Sequence, residues 1–211
     1  MRSDREAKQQ IVQIVNELFA MGLLTATGGN VSATGDQPET LWITPSRLFK
    51  GGLIENDLVK IDRGGGVLEG WRVPSIEWRM HFACYGARAG SSGAIHTHAP
   101  VATAFGITHQ VFPPINSDAV LLKDTAVVPW IMPGTQELAD AVGHALQRSP
   151  GCFLQNHGLM TVGSDLRRAA TVALMLEETA KILLYCRQFG GEMTLISPEG
   201  IEQLAALKDF I

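Results

Sequence analysis

The chain has 211 residues, 45% hydrophobic and 18% charged, a balance that excludes a disordered or fibrous polypeptide and allows one packed core. Its 17 Lys and Arg against 21 Asp and Glu give a formal net charge of −4, and no basic run breaks that balance, so binding to a nucleic-acid backbone is not expected. The first residues are polar, no apolar run approaches the ~20 residues of a membrane-spanning helix, and Cys84, Cys152 and Cys186 are dispersed, so a reduced, cytoplasmic protein without export signal or anchor is expected.

Along the chain, Ile11, Ile14, Val15, Leu18 and Phe19 recur at three- and four-residue steps, which predicts an amphipathic helix over 6–21 that stops at Gly22. The stretch Ala26-Thr-Gly-Gly-Asn-Val-Ser32 bends into an extended segment, and after a polar turn at 35–39 Leu41-Trp-Ile-Thr44 reads as its hairpin partner. Leu58-Val-Lys-Ile61 and Val67-Leu-Glu-Gly-Trp71 read as two strands joined by a glycine-rich turn. Residues 76–88 have helical spacing, with Ser75 as N-cap and Glu77 in the first turn, and Ala94-Ile-His-Thr-His98 follows as a strand.

Further helices are predicted over 101–107 and from Thr135 to Leu146, while prolines leave 111–128 without an assignment. Cys152-Phe-Leu-Gln-Asn156 reads as a strand that breaks at His157-Gly158 and resumes at Thr161-Val162, and Ser164 as the cap of a long helix reaching Phe189. Helices that flank strands without βαβ alternation or internal repeat predict an α/β fold, a single three-layer α/β/α domain over residues 1–211 around a mainly antiparallel sheet.

The residues able to do chemistry begin with His96-Thr-His98, since side chains two apart on a strand share a face and can converge on one ion. Alone, the pair equally fits two histidines meeting local hydrogen bonds. His157, presented where Gly158 lets the backbone turn, offers a third imidazole, although a structural histidine is the commoner use of such a position. Glu77 adds a carboxylate at a helix start, where the dipole favours its ionised form by ~0.3–1 kcal/mol but where acids are frequent in any case. His81, one turn on, shares its helix face and reads as a supporting or packing residue; His109 and His144 belong to no motif.

Taken together, Gly28-Gly-Asn-Val-Ser32, Ile43-Thr-Pro-Ser46, Pro74-Ser-Ile-Glu-Trp-Arg-Met-His81 with Ile95-His-Thr-His-Ala-Pro100, and Asn156-His-Gly158 resemble, in order, the motifs of the class II aldolase/adducin superfamily, which includes sugar-phosphate aldolases, epimerases and decarboxylases. The resemblance implies a class II aldolase-like fold and a divalent metal ion, zinc first with manganese or cobalt as alternatives, held by His96, His98, His157 and Glu77, with Glu77 also the catalytic base. It implies a lyase acting on a small hydroxy-carbonyl substrate, a sugar or sugar acid, through an enediolate, by retro-aldol cleavage or decarboxylation, in a homotetramer with active sites at subunit borders. By the same resemblance, Gly29, Asn30, Ser46 and Ser75 match the positions that contact the substrate's anion.

Three departures from the family pattern stand out. Arg47 replaces a glycine and either reads a substrate anion or points to solvent, and Ile76 replaces a serine. No tyrosine matches the family's general acids, because the loop reads Ile115-Asn-Ser-Asp-Ala-Val120 and the chain ends Leu207-Lys-Asp-Phe-Ile211. The alternatives are an epimerase of the same superfamily, which usually carries aspartate in place of Glu77, and a non-catalytic adducin-like interaction module.

Overall fold

The first helix, α1 (Asp4–Ala20), forms where Ala7, Ile11, Ile14, Val15 and Leu18 make one buried stripe, and Ser3 and Glu6 close its start with a reciprocal capping box. It ends before Gly22, whose φ of +75° is open to glycine at little cost. The computed structural model describes residues 3–206; the terminal segment 207–211, which enters the comparison with the family's tyrosines, lies outside the described residues.

Eight strands make one sheet: β1 (Asn30–Ala33), β2 (Thr40–Ile43), β3 (Val59–Asp62), β4 (Val67–Glu69), β5 (Gly93–Thr97), β6 (Ala126–Val128), β7 (Gly151–Leu154) and β8 (Gly158–Gly163). Their order is β4-β3-β2-β1-β5-β8-β7-β6, and every pairing is antiparallel except β6 with β7. The helices are α1, α2 (Trp78–Ala87), α3 (Pro100–Ile107), α4 (Ser117–Leu121), α5 (Gln136–Leu146), α6 (Leu166–Phe189) and α7 (Pro198–Ala205).

Period-two alternation divides the central strands between two cores. Ile95, Phe153 and Leu159 pack with α1, α3 and α6, whereas Ala94, Cys152, Leu154, Met160 and Val162 pack with α2 and α5. Both faces of the sheet are therefore covered and the architecture is α/β/α, as the pattern of helices and strands predicted.

Four local expectations change. The stretch 152–162 is not one strand resumed after a break: β7 and β8 are antiparallel, with Leu154 opposite Gly158, and Asn156 turns the chain with φ +57°. The helix expected over 76–88 begins only at Trp78, with Glu77 at the N-cap position and no side-chain capping bond, because its carboxylate is engaged elsewhere. Asp165 rather than Ser164 caps α6, accepting from Arg168 N at 2.8 Å. The unassigned stretch 111–128 holds α4 and β6, too short for a periodic signal.

Candidate active site

The three central strands β1, β5 and β8 bring distant motifs to one end of the sheet. Asn30, first in β1, pairs with His96 in β5, and His96 pairs with Met160 in β8, whose hairpin turn carries His157. His98 lies just past β5, where its amide leaves the ladder to donate to Leu23 O at 3.0 Å. Glu77 enters at the start of α2, above the His96 face of the sheet.

The ligand atoms of His96, His98 and His157 all lie within 4.8 Å of one another. His96 Nε2 stands 3.0 Å from His98 Nε2 and 3.5 Å from Glu77 Oε2, while His157 Nε2 is 3.3 Å from Glu77 Oε1. His96 Nδ1 donates to Leu159 O at 3.0 Å, which fixes its tautomer and turns the Nε2 lone pair toward the cluster. Burial, then the neighbouring imidazoles His157 and His98, holds the pKa of His96 well below the usual histidine range. Burial first and His157 next lowers His98, and burial lowers His157 against the opposing pull of Glu77. Neutral imidazoles are thereby favoured, the state that donates a lone pair to a cation.

This donor set fits one divalent ion. Nitrogen ligands at ~2.0–2.1 Å around a tetrahedral zinc would lie roughly 3.3 Å apart, close to the spacings of His96 with His98 and of Glu77 with His96 and His157, and Glu77 Oε1 is buried without a hydrogen-bond partner among the described residues. Gly158 makes room for the cluster: a Cβ there would meet Thr97 O at 2.2 Å and His96 Cε1 at 3.1 Å. Gly158→Ala is therefore expected to destabilise the fold by at least the ~1–3 kcal/mol typical of overpacking, read from urea unfolding, with loss of metal affinity; unchanged stability would contradict the close approach.

The other carboxylate oxygen is tied down by a chain of buried hydrogen bonds. Asn30 Nδ2 donates to Glu77 Oε2 at 2.7 Å, and Asn30 Oδ1 accepts from His81 Nε2. His81 Nδ1 meets Ser32 Oγ at 2.7 Å, which in turn meets Tyr85 Oη at 2.6 Å. A carboxylate oxygen only accepts, so the direction of every proton follows: His81 is protonated at Nε2, and Ser32 donates to its Nδ1 and accepts from Tyr85. Complete burial pushes the His81 pKa down to about 3, so the neutral imidazole this chain requires is the stable form. His81 thus acts through Asn30 and is not among the clustered nitrogens.

Beside the cluster opens a cleft of about 270 Å³ whose lining includes Gly29, Asn30, Ser46, Arg47, Ser75, Glu77, His98 and His157. Thr44 O accepts from Ser75 N at 3.2 Å and Ser46 N donates to Val73 O at 2.9 Å, which clamps the 44–47 loop to the segment before α2. Gly29 has φ +81°, and a Cβ there would meet Leu24 Cδ2 at 2.4 Å. Asn30 is engaged at both ends of its amide, so one amide hydrogen at most remains for the cleft. Ser75 Oγ accepts from Glu77 N at 3.3 Å. Arg47 keeps a left-handed φ of +56°, and among the described residues its exposed guanidinium has no hydrogen-bond or ion-pair partner.

Two features of the site had no sequence signal. Ser32 and Tyr85 join Glu77 only through the strand register and the α2 face, and Lys50, a further residue lining the cleft, is 1% exposed although lysines are rarely buried.

The class II aldolase and adducin N-terminal domain profile matches residues 9–184. The chain is 31% identical over 195 residues to an L-fuculose phosphate aldolase of Escherichia coli, covering 92% of this chain and 89% of that one. It is 29% identical over 202 residues to a 5-deoxy-D-ribulose 1-phosphate aldolase of Bacillus thuringiensis, covering 95% and 94%. A solved L-fuculose 1-phosphate aldolase superposes with a TM-score of 0.87 at 29% identity, covering 99% of each chain.

Proposed function

The chain belongs to the class II aldolase and adducin N-terminal domain family, and from that premise we propose that it is a divalent-metal-dependent lyase whose ion is held by His96, His98 and His157 beside Glu77. The observation that carries the reading is the convergence of three imidazole nitrogens within 4.8 Å of one another beside Glu77, whose buried Oε1 faces His157 and has no hydrogen-bond partner among the described residues. Zinc is the proposed ion, with manganese or cobalt as substitutes, since imidazole suits all three and zinc sites commonly use three protein ligands with an open position. When bound, the ion supplies Lewis-acid stabilisation of negative charge on substrate oxygens.

The chain's own residues supply the rest. In retro-aldol cleavage the departing carbon becomes an aldehyde as its hydroxyl gives up a proton to solvent, in decarboxylation it leaves as carbon dioxide, and in either case the bonding pair stays on an enediolate, which must gain a proton at carbon. Glu77 delivers that proton in the cleavage direction and removes it in the synthetic direction. Asn30 holds Oε2, so Oε1, which faces His157 and lacks a hydrogen bond, is the oxygen that carries the proton. Gly29, Asn30, Ser46, Arg47 and Ser75 line the part of the cleft that receives the anionic or polar end of a small sugar or sugar-acid substrate, phosphorylated as in the related aldolases.

Retention of Glu77 and all three histidines favours this reading over an adducin-like interaction module and over an epimerase. Residues 1–211 are proposed to act as one domain. No helix among the described residues is long and apolar enough to cross a membrane, and a cytoplasmic enzyme is proposed. Ile76, which lines the cleft, and Trp130 and Met132, which shortly precede the cleft residue Pro133, are 59%, 55% and 58% exposed; such apolar surface supports a homo-oligomer, a tetramer by resemblance.

The test is a screen of the metal-reconstituted protein against short ketose phosphates, sugar-acid phosphates and their unphosphorylated forms. Release of an aldehyde or of carbon dioxide is expected; absence of both, with zinc, manganese and cobalt each supplied, would overturn the lyase. Arg47→Gly is expected to stabilise the fold by ~1 kcal/mol, because glycine bears the left-handed φ without the strain of a Cβ, and to raise KM on the substrate found while leaving metal content unchanged. Unchanged kinetics would remove Arg47 from the site.

A further inference from the structure

Lys50 stands apart from the residues that the family motifs single out. It follows the Ile43-Thr-Pro-Ser46 motif by four residues, its side chain is among the largest that are fully buried, and it lines the same cleft as Ser46, Ser75, Glu77 and His98. Two backbone bonds place it: Lys50 N donates to Ala26 O at 2.9 Å, which ties it to the glycine-rich bend, and its Nζ donates to Pro45 O at 3.3 Å, on the loop that carries Ser46. That carbonyl occupies one of three ammonium hydrogens, and among the described residues no carboxylate pairs with the charge.

The other buried lysine differs in its surroundings. Lys60, also 1% exposed, is surrounded by Asp4, Asp36 and Glu69, with Asp4 at 2.5 Å. Lys50 has nothing equivalent, and burial alone depresses its pKa to about 8, which still leaves the ammonium charged at neutral pH. A buried, unpaired cation beside a cleft is a costly arrangement that an entering anion relieves.

We propose that Lys50 is the principal charge-reading residue of the cleft, its ammonium pairing with an oxyanion of the substrate, phosphate or carboxylate, and that Arg47 at the mouth supplies the second cation. The inference rests on the reading of this cleft as the substrate site. It accounts for two features that otherwise weaken an anion pocket: Ile76 provides no hydroxyl where a serine is usual, and the Asn30 side chain is engaged with Glu77 and His81. A buried ammonium supplies more attraction than the neutral donor that is lost.

The probe is inorganic phosphate, with acetate as the carboxylate arm, titrated calorimetrically into the full-length protein, with metal content and thermal midpoint measured in parallel. Lys50→Met keeps the stem and removes the charge, so the thermal midpoint is expected to stay level or rise, whereas a purely structural lysine would lower it. Affinity for phosphate is expected to fall by about tenfold to a hundredfold, as for a lost charged hydrogen bond. A fall confined to acetate would support the pairing and name carboxylate as the anion read. Lys50→Gln, which can still donate to Pro45 O, carries the same expectation should the methionine variant not fold. Equal affinities for both anions in wild type and variant, or no binding of either anion to wild type, would overturn the proposal. A protein that binds phosphate through Lys50 but shows no lyase activity with any metal would sink the proposed reaction and leave this assignment standing.

Discussion

His96→Ala is expected to lose the divalent ion, with affinity lowered by more than the ~10–100-fold that removal of an outer partner costs, and activity is expected to fall with it. His96 is the centre of the cluster: it is fully buried, its ring lies 4.8 Å from that of His98 and 4.6 Å from that of His157, and its Nε2 faces Glu77. Substitution also removes the hydrogen bond that His96 Nδ1 donates to the Leu159 carbonyl, at roughly 0.5–1.5 kcal/mol, so folding must be separated from binding. His157→Ala serves that purpose. Its side chain is 12% exposed on a hairpin turn, and its Nδ1 has no hydrogen-bond partner among the described residues, so little structure depends on it. Both variants are expected to emerge from gel filtration with substoichiometric metal by elemental analysis, with unchanged far-UV circular dichroism for His157→Ala. Full metal retention in either variant would remove that histidine from the site.

Glu77→Gln is expected to lower turnover by ~10²–10⁴, the usual share of a general acid or base, while the three imidazoles keep the ion. The substituted amide still presents an oxygen to Asn30 Nδ2, so the chain through His81, Ser32 and Tyr85 persists and the variant is expected to fold normally. What disappears is an oxygen able to take up a proton where Oε1 now stands. Exchange of the substrate's carbon-bound proton with solvent gives the most direct readout, because it reports the proton step apart from C–C bond cleavage. Exchange within tenfold of wild type would assign the base elsewhere. Metal lost together with activity would instead give Glu77 a larger part in holding the ion than in moving the proton.

All three variants concern residues whose grouping is legible in the amino-acid order itself. His96 and His98 are two apart in an extended stretch, and the blocks around Gly28, Ile43, Pro74, His96 and His157 occur in an order that few families share. The three-layer fold is legible in the same way, since the helices of 17, 11 and 24 residues, α1, α5 and α6, are long enough to carry a periodic signal. α4 and β6, of five and three residues, are too short for one.

What the sequence determined by itself is which side chains can donate to a cation and which local conformations present them: imidazoles on an apolar strand, a carboxylate near a helix start, glycines and hydroxyls at bends. Those follow from residue chemistry and from short-range periodicity. Only the tertiary structure decided the antiparallel turn at Asn156, which aims His157 back over β5, and the register of Asn30 opposite His96, which lets one amide bridge Glu77 and His81. It alone decided that Lys50 is buried against the cleft with no carboxylate paired to it among the described residues, whereas Lys60 is buried among three. The reason is physical: a side chain's partners and its desolvation depend on strands far apart in sequence, and no local pattern carries that information.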